Sequence, residues 1–204
     1  YLATENFTKG WAGYEYRKKF DSIKYELPSG EIHTSKLDQY IPYNKVWNGK
    51  KFNGPLVVHA EQGLGDEILN SSMFSDLLNY HKDLYISADK RLINLFQRSF
   101  PKINFFIRKK ESIKSKKSLH IFAGSLGKYF RNSIDDFDTN AHKWLFPDFK
   151  ICDEFKHKLS FSKKIKIGIS WKSPALNNSR KDISLHKLIS SIPKESFDII
   201  NLQY

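Results

Sequence analysis

Residues 55–81, PLVVHAEQGLGDEILNSSMFSDLLNYH, decide the fold class of this chain. They begin with an apolar run at 56–58, which is short enough to form a strand that is buried on both faces. A turn containing two glycines follows. Apolar residues then recur at helical spacing, namely Leu69, Met73, Leu77 and Tyr80. The stretch therefore predicts a strand, a turn and a helix.

The same kind of unit repeats further along the chain. We expect strands at 84–89, 103–107 and 118–124, with a helix at 91–100 between the first two of them. Strands that alternate with helices imply right-handed crossovers and a parallel sheet. Residues 54–160 are therefore predicted to form a Rossmann-like α/β domain.

The two ends of the chain have a different character. Residues 1–53 are predicted to hold a short helix with an aromatic face, followed by an extended polar connector. Residues 161–204 contain a buried strand at 165–171, a short helix and another strand at 197–204, which indicates the beginning of a second Rossmann-like domain. Since the chain starts without Met and stops inside this unit, we expect a fragment of a longer protein.

Composition narrows the class of protein. The 204 residues carry a formal net charge of +12, but the excess Lys is scattered rather than clustered, so we do not expect a nucleic-acid partner. No apolar run is long enough for a membrane span, and no signal segment opens the chain, which favours a cytoplasmic protein. The single Cys152 excludes an internal disulfide, and the dispersed histidines predict no metal site.

The loop HAEQGLGDE, at 59–67, is the first candidate site. It follows the first strand of the predicted sheet, and ligands gather at the carboxyl ends of parallel strands. Its glycines, Gly63 and Gly65, allow a tight turn and the close approach of a ligand. Asp66 stands at the helix start, either as a helix cap only or as a group that receives a proton from a hydroxyl.

The same loop resembles the dinucleotide-binding fingerprint only in part. Gly63 and Gly65 match its first two glycines, but Ile68 stands where the third is needed. Three acids crowd the place of the pyrophosphate. Asp89, at the end of the second strand, is a candidate for the ribose-binding acid. A dinucleotide-dependent oxidoreductase is therefore a weaker alternative.

The second candidate site is a cationic loop at 170–184, which follows the strand 165–171. Its Lys, Arg and Ser side chains are the donors that grip a diphosphate, although an exposed basic loop is the alternative interpretation. The candidate donor-binding residues are Ser170, Lys172, Ser173, Arg180 and Lys181. An acidic loop and a cationic loop on two α/β units suggest group transfer from a phosphorylated donor to a hydroxyl acceptor.

Five segments, in this order, resemble one group of bacterial proteins: HAEQGLGDEI, RLINLFQRSFP, AGSLGKYFR, IGISWKS with RKDISL, and LQY. They are similar to tetratricopeptide-repeat proteins with a C-terminal glycosyltransferase-like region, which itself resembles the ADP-heptose:lipopolysaccharide heptosyltransferases. The opening GWAGYEYR is similar to the helix that ends the repeat array of such proteins. The resemblance covers nearly the whole chain.

This resemblance implies a GT-B architecture, in which two Rossmann-like domains face each other across a cleft. It implies an inverting glycosyltransferase in which Asp66 is the base and Glu61, Gln62, Gly63 and Gly65 form the acceptor-side loop. Ser170 and the cationic side chains after it would bind the donor phosphates. The implied partners are a nucleotide-sugar donor and a hydroxyl acceptor on a glycan, lipopolysaccharide or protein, with no cofactor and no metal.

Two departures limit what this chain is expected to do alone. The loop at 171–181 is longer than the phosphate loop of heptosyltransferases, and the half of the donor site that binds base and ribose would lie after Tyr204. We therefore expect the chain alone to be inactive. The alternative from another class is an inactive GT-B-like binding or scaffold module of a tetratricopeptide-repeat protein.

Overall fold

The computed structural model describes residues 1–27, 29–61, 63–108, 117–137, 143–160, 162–171 and 183–203. The chain divides into two compact units, Tyr1–Pro147 and Asp148–Tyr204. The helix Phe149–Leu159 belongs to the second unit, whereas the sequence prediction began that unit at residue 161.

The secondary structure alternates between helices and strands along most of the chain. In chain order the elements are α1 (Phe7–Tyr14), β1 (Ser22–Glu26), β2 (Ile32–Lys36), α2 (Leu37–Tyr40), β3 (Leu56–His59), α3 (Leu64–Ser71), α4 (Phe74–Tyr80), β4 (Leu84–Ala88), α5 (Ile93–Ser99), β5 (Asn104–Ile107), β6 (Leu119–Phe122), α6 (Gly127–Phe130), α7 (Phe149–Leu159), β7 (Ile165–Ile169), α8 (Leu185–Ser190) and β8 (Phe197–Asn201). Short 3₁₀ helices lie at Leu2–Thr4, Glu15–Lys19, Tyr43–Lys45, Ala123–Ser125 and Ile134–Asp136.

The first unit contains the parallel sheet that the sequence predicts. Its four strands have the order β5-β4-β3-β6, and all neighbouring pairs are parallel. The chain steps from β3 to β4 to β5 in one direction and then returns to place β6 on the other side of β3. This order is compatible with a Rossmann-like fold, in which ligands bind where the strand order reverses. Here that point lies between the carboxyl ends of β3 and β6.

The main core lies on one face of this sheet. All four residues of β3 are buried, and Met73 and Leu77 pack into the same cluster as Leu56 and Val58. Leu69 does not join them, since 67% of its surface is exposed. The predicted single helical face is interrupted because α3 ends at Ser71 and α4 begins only at Phe74, so the two helices present different faces to the sheet.

The opposite face is covered by the segment that was predicted to be an extended connector. β1 and β2 form an antiparallel hairpin, and Gly30, at φ 85°, provides the positive φ of its turn. Ile23 and Leu37 are buried in one cluster with Phe122 of β6. The segment is thus folded onto the sheet, because a few apolar side chains spaced through a polar stretch are enough to cover this face.

The second unit contains a β-α-β crossover. β7 and β8 pair in parallel, from Ile165 opposite Phe197 to Ile169 opposite Asn201. Helix α8 lies between them in sequence, as a parallel pair requires a long connection. The strand, helix and strand predicted after residue 161 are therefore present.

Candidate active site at the carboxyl edge of the first sheet

The predicted acceptor-side loop joins the carboxyl end of β3 to the first turn of α3. Glu61, Gly63, Gly65 and Asp66 lie in the described part of the chain, and Gln62 lies outside it. The four described residues do not share one role.

Asp66 is an exposed residue in the first turn of α3. Its Oδ2 accepts the backbone N–H of Gly63, which is the N-cap residue, over 3.2 Å. This is the capping role that the sequence left open, and it satisfies one of the free N–H groups at the helix start. Within the described residues, Asp66 forms no ion pair, and its Oδ1 has no hydrogen-bond partner. One oxygen of this exposed carboxylate is therefore without a partner in the part of the chain that the structure describes.

The two glycines of the loop do not make the tight turn that the sequence predicts. Gly63 has extended backbone angles, φ −76° and ψ 173°, and Gly65 lies within α3 without a positive φ. Neither position needs glycine for its conformation. A Cβ atom at Gly65 would meet nothing within 4 Å. The space beside the Gly65 backbone is therefore open for an approaching molecule, which was the other predicted reason for glycine.

Glu61 is neither a solvated acid nor a group that faces an open site. Only 4% of its surface is exposed. Its Oε1 accepts the N–H of Gly124 over 2.8 Å, and both carboxylate oxygens accept N–H groups of Arg17. Glu61 thus fills the gap between the ends of β3 and β6, where ligands bind in Rossmann-like sheets.

Arg17 is the partner of Glu61 and was not recognised from the sequence. It donates to Glu61 through Nε over 3.2 Å and through Nη2 over 2.8 Å. Nη2 also donates to Ser125 Oγ, and Nη1 donates to Tyr14 O and Glu15 Oε1. Burial acts to lower the pKa of Arg17, but the bond and the charge of Glu61 outweigh it, so the pKa lies above its ordinary value. The guanidinium is therefore a permanent cation in this gap.

Glu67 is a second buried acid that the sequence analysis treated as part of an acidic loop. Its carboxylate pairs with Arg108 at the end of β5. The other oxygen accepts the backbone N–H of Asp89 over 2.9 Å. Burial raises the pKa of Glu67 above its ordinary value, against the lowering effect of the Asp89 N–H and of Arg108. This acid ties α3 to the ends of β4 and β5.

Asp89, the candidate ribose-binding acid, is already engaged. Arg91 donates to both of its carboxylate oxygens, from Nε over 2.9 Å and from Nη2 over 3.0 Å. The hydrogen bond from Arg91 lowers the pKa of Asp89 to about 2. A ribose hydroxyl would have to compete with this bidentate pair.

Two histidines face each other across β3 and β6. Nε2 of His59 lies 2.9 Å from Nδ1 of His120, whose Nε2 lies 3.0 Å from Ser118 Oγ. Burial lowers the pKa of His59 to about 3 and that of His120 to about 4. His59 Nδ1 is buried and has no hydrogen-bond partner among the residues that the structure describes. Both rings are therefore neutral at neutral pH, and they were missed because their contact depends on the register of two strands.

A cleft of about 360 Å³ opens at the carboxyl end of β6, beside Glu15 and Ser125, which contact Arg17. It is lined by both polar and aromatic side chains, including Glu15, Lys18, Tyr43, Ser125 and Lys128. Its volume lies within the range of small-molecule pockets. Asp66 is not among the residues that line it.

In the second unit, the residues that follow β7 contact Gln203, which belongs to the LQY segment. Ser170, a candidate donor-binding residue, donates from Oγ to Oε1 of Gln203 over 3.3 Å. The N–H of Trp171 donates to the same oxygen over 3.2 Å. Gln203 therefore fixes the start of the predicted phosphate loop. The other candidates, Lys172, Ser173, Arg180 and Lys181, lie outside the described residues.

Two kinds of feature are absent from the part of the chain that the structure describes. There, no three His, Cys, Asp or Glu side chains are grouped so that they could hold a metal ion. None of the described helices has the length and apolar character that crossing a bilayer requires.

Comparison with known proteins finds one distant relative and leaves the family open. No family model matches the chain, and no solved structure matches it. Protein FlbA of Caulobacter vibrioides is 31% identical over 106 residues. The aligned region covers 50% of this chain but only 16% of FlbA, so the chain corresponds to a small part of that protein.

Proposed function

We propose that this chain is part of an inverting glycosyltransferase of GT-B type, similar to the glycosyltransferase-like region of bacterial tetratricopeptide-repeat proteins. It would transfer a sugar from a nucleotide-sugar to a hydroxyl group of an acceptor. The observation that carries the proposal is the position of Asp66. Its exposed carboxylate lies in the helix turn after the first strand of a parallel sheet, beside the open backbone of Gly65.

Asp66 has the properties that a general base needs. Oδ2 is held by the N–H of Gly63, which fixes the carboxylate, while Oδ1 is open among the described residues. Oδ1 would accept the proton of the acceptor hydroxyl as that oxygen forms a bond to the anomeric carbon. The bond from the anomeric carbon to the nucleotide diphosphate breaks in the same step, with inversion of the sugar. The diphosphate leaves with the electron pair.

The second unit would supply the donor side. Ser170 lies at the end of β7, and its hydroxyl is oriented by Gln203. The proposal assigns the neutralisation of the leaving diphosphate to Lys172, Arg180 and Lys181, with Ser173 as a further donor, because these residues belong to the cationic loop at 170–184 that follows the same strand. No metal or cofactor is required by this scheme.

The dinucleotide-dependent oxidoreductase is the weaker alternative on the geometry. The gap between the ends of β3 and β6 is filled by the carboxylate of Glu61 and the guanidinium of Arg17. A Cβ atom at Gly124 would lie 2.4 Å from Glu61 Oε1 and 2.9 Å from Arg17 Nη2, so even a methyl group has no space there. A pyrophosphate in this gap would also meet the carboxylate of Glu61.

The inactive binding or scaffold module is the second candidate. It is favoured by the hydrogen bond from Gly63 to Asp66, because a helix cap alone is a sufficient reason for an aspartate at this position. Under this alternative, the Asp66 carboxylate has a structural role only, and its replacement by an amide leaves every binding property unchanged.

The experiment is a transfer assay on the full-length protein with ADP-, UDP- and GDP-linked sugars. The wild type is compared with Asp66→Asn and with Asp83→Asn, which removes an exposed carboxylate beside the amino end of β4, at the opposite edge of the sheet. We expect transfer by the wild type and by Asp83→Asn, and a rate lower by about 10²- to 10⁴-fold in Asp66→Asn, the usual effect of losing a general base. NMR of the product then checks the inversion.

Two results would overturn the proposal. If Asp66→Asn transfers as fast as the wild type, Asp66 is a helix cap and not the base. If the folded wild type turns over none of the donors with glycan, lipopolysaccharide and protein acceptors, the scaffold module becomes the better account.

A further inference from the structure

The N-terminal segment, residues 7–19, makes two contacts with the part of the first unit that contains the parallel sheet. At the first, the indole of Trp11 packs on Gly127, where a Cβ atom would lie within 2.3 Å of the ring, and its Nε1 donates to Arg131 O over 2.5 Å. The second contact is made by Arg17, which reaches the gap between β3 and β6. The segment therefore contacts both α6 and the β3–α3 loop.

Every nitrogen of the Arg17 guanidinium donates at least one hydrogen bond. Its N–H groups make five hydrogen bonds with described residues, to the acceptors Glu61 Oε2, Glu61 Oε1, Ser125 Oγ, Tyr14 O and Glu15 Oε1. A lysine has three donors on a single nitrogen and cannot reproduce this fork. The geometry of Glu61 is therefore set by the planar guanidinium and not by positive charge alone.

Glu61 connects Arg17 to the loop that precedes the candidate base, Asp66. It lies in the β3–α3 loop, five positions before Asp66 in the first turn of α3, and its Oε1 also accepts the Gly124 N–H. The 3₁₀ helix that contains Gly124 packs against α3, the helix that carries Asp66. Loop and helix are thus fastened to the end of β6 through one carboxylate.

A buried ion pair of this kind is poorly explained by stability alone. Replacing both partners by apolar side chains of similar volume is often neutral or stabilising, because two charges no longer have to be removed from water. Unlike an apolar pair, a bidentate ion pair fixes the relative orientation of the two side chains that it joins.

We propose that Arg17 is a positioning residue: through Glu61, the N-terminal segment fixes the β3–α3 loop and thereby the place of the Asp66 carboxylate. Its importance for catalysis rests on the proposed function. Its effect on the loop does not, and the two are tested by separate measurements.

The first measurement is amide hydrogen exchange in the double variant Arg17→Met/Glu61→Met, which removes both charges together and leaves no buried charge unpaired. The matched control is Glu31→Gln/His33→Gln, which replaces two side chains of the same unit whose Glu31 Oε2 and His33 Nε2 atoms lie 3.3 Å apart at the surface. We expect exchange at residues 60–67 to become at least about tenfold faster in the double variant, with exchange in β4 unchanged in both proteins.

Two exchange results would overturn the inference. If exchange at 60–67 is as slow as in the wild type, Arg17 does not fix the loop. If exchange in β4 accelerates equally, the pair supports the whole unit and has no particular role at the loop.

The second measurement is steady-state transfer by the same proteins and by Arg17→Lys. We expect kcat to fall at least about tenfold in the double variant, with KM for the nucleotide-sugar unchanged and with an intermediate kcat in Arg17→Lys, because the base is misplaced but the donor site is intact. An unchanged kcat beside a loosened loop would exclude a positioning role. If the wild type itself is inactive, the proposed function fails, and the exchange data alone decide whether Arg17 fixes the loop.

Discussion

The guanidinium of Arg17 grips both carboxylate oxygens of Glu61, at 2.8 and 3.2 Å, although 44 positions separate the two residues. Both side chains are almost completely buried. The pair joins the segment that precedes the sheet to the loop that follows its first strand. Its strength as a structural link depends on both partners being present, since either one alone is a buried, uncompensated charge.

We expect Glu61→Ala to lower the free energy of unfolding by about 3–5 kcal/mol. The substitution leaves the Arg17 cation buried without its main partner and removes the acceptor of the Gly124 N–H. Urea denaturation followed by circular dichroism and tryptophan fluorescence measures the change. Glu31→Ala, at an exposed position, serves as control and should stay within about 0.5 kcal/mol of the wild type. Equal stability of the two variants would contradict the buried pair.

The contact between Trp11 and Gly127 makes a second prediction. A methyl group at Gly127 would lie 2.3 to 2.6 Å from three ring carbons of Trp11, and the ring is held by its bond to Arg131 O. We expect Gly127→Ala to cost about 1–3 kcal/mol through overpacking. Gly13→Ala is the matched control, because a Cβ there meets nothing within 4 Å and alanine favours the helix. Thermal denaturation measures the two variants. A Tm of Gly127→Ala that equals or exceeds the Tm of Gly13→Ala would refute this packing.

Gly65→Ala separates stability from activity. Since Gly65 is helical and its Cβ position is empty, we expect the free energy of unfolding to rise by about 0.5–1 kcal/mol. We expect transfer activity to fall, because the methyl group occupies the space beside Asp66 where the acceptor approaches. Urea titration and the transfer assay measure the two effects. Gly13→Ala is the control, because it is stabilised in the same way but lies far from Gly65 in the sequence. Full activity in a stabilised Gly65→Ala would show that no substrate passes there.

The histidine pair predicts how stability depends on pH. His59 and His120 have pKa values lowered to about 3 and about 4 in the folded chain, against about 6.5 when unfolded. Between pH 4 and 6.5, the unfolded state therefore binds protons that the folded state does not. Stability must rise with pH across this window, by up to about 1.4 kcal/mol per pH unit for each histidine, and the histidine contribution must level off above it.

Urea midpoints at pH values from 4.5 to 7.5 test the histidine prediction. His59→Phe should flatten the curve, because phenylalanine does not titrate and suits the aromatic surroundings of Tyr40 and Phe122. His186→Gln, at an exposed position of the second unit, should leave the curve unchanged. Identical slopes for the wild type and His59→Phe would show that His59 does not contribute to the pH dependence.

Much of the first unit was predictable because the strands of its parallel sheet are encoded by short, mainly apolar runs. The run at 56–58 lies within β3, and the three later runs at 84–89, 103–107 and 118–124 each contain an observed strand. The hairpin at Ser22–Lys36 was not predicted. Its residues are mostly polar, and Ile23 and Leu37 become core residues only when the sheet provides the surface that they cover.

The three acids of the β3–α3 region likewise differ in what could be predicted from the sequence and what could not. The sequence by itself determined that Glu61, Asp66 and Glu67 stand at the carboxyl edge of a parallel sheet, because their place follows from the order of strand, turn and helix. Only the tertiary structure decided that Asp66 is exposed while Glu61 and Glu67 are buried. The physical reason is that a carboxylate leaves water only when a cation and N–H groups replace the water. Those partners, Arg17 and Arg108, lie 44 and 41 positions away in the chain, beyond the reach of any local pattern.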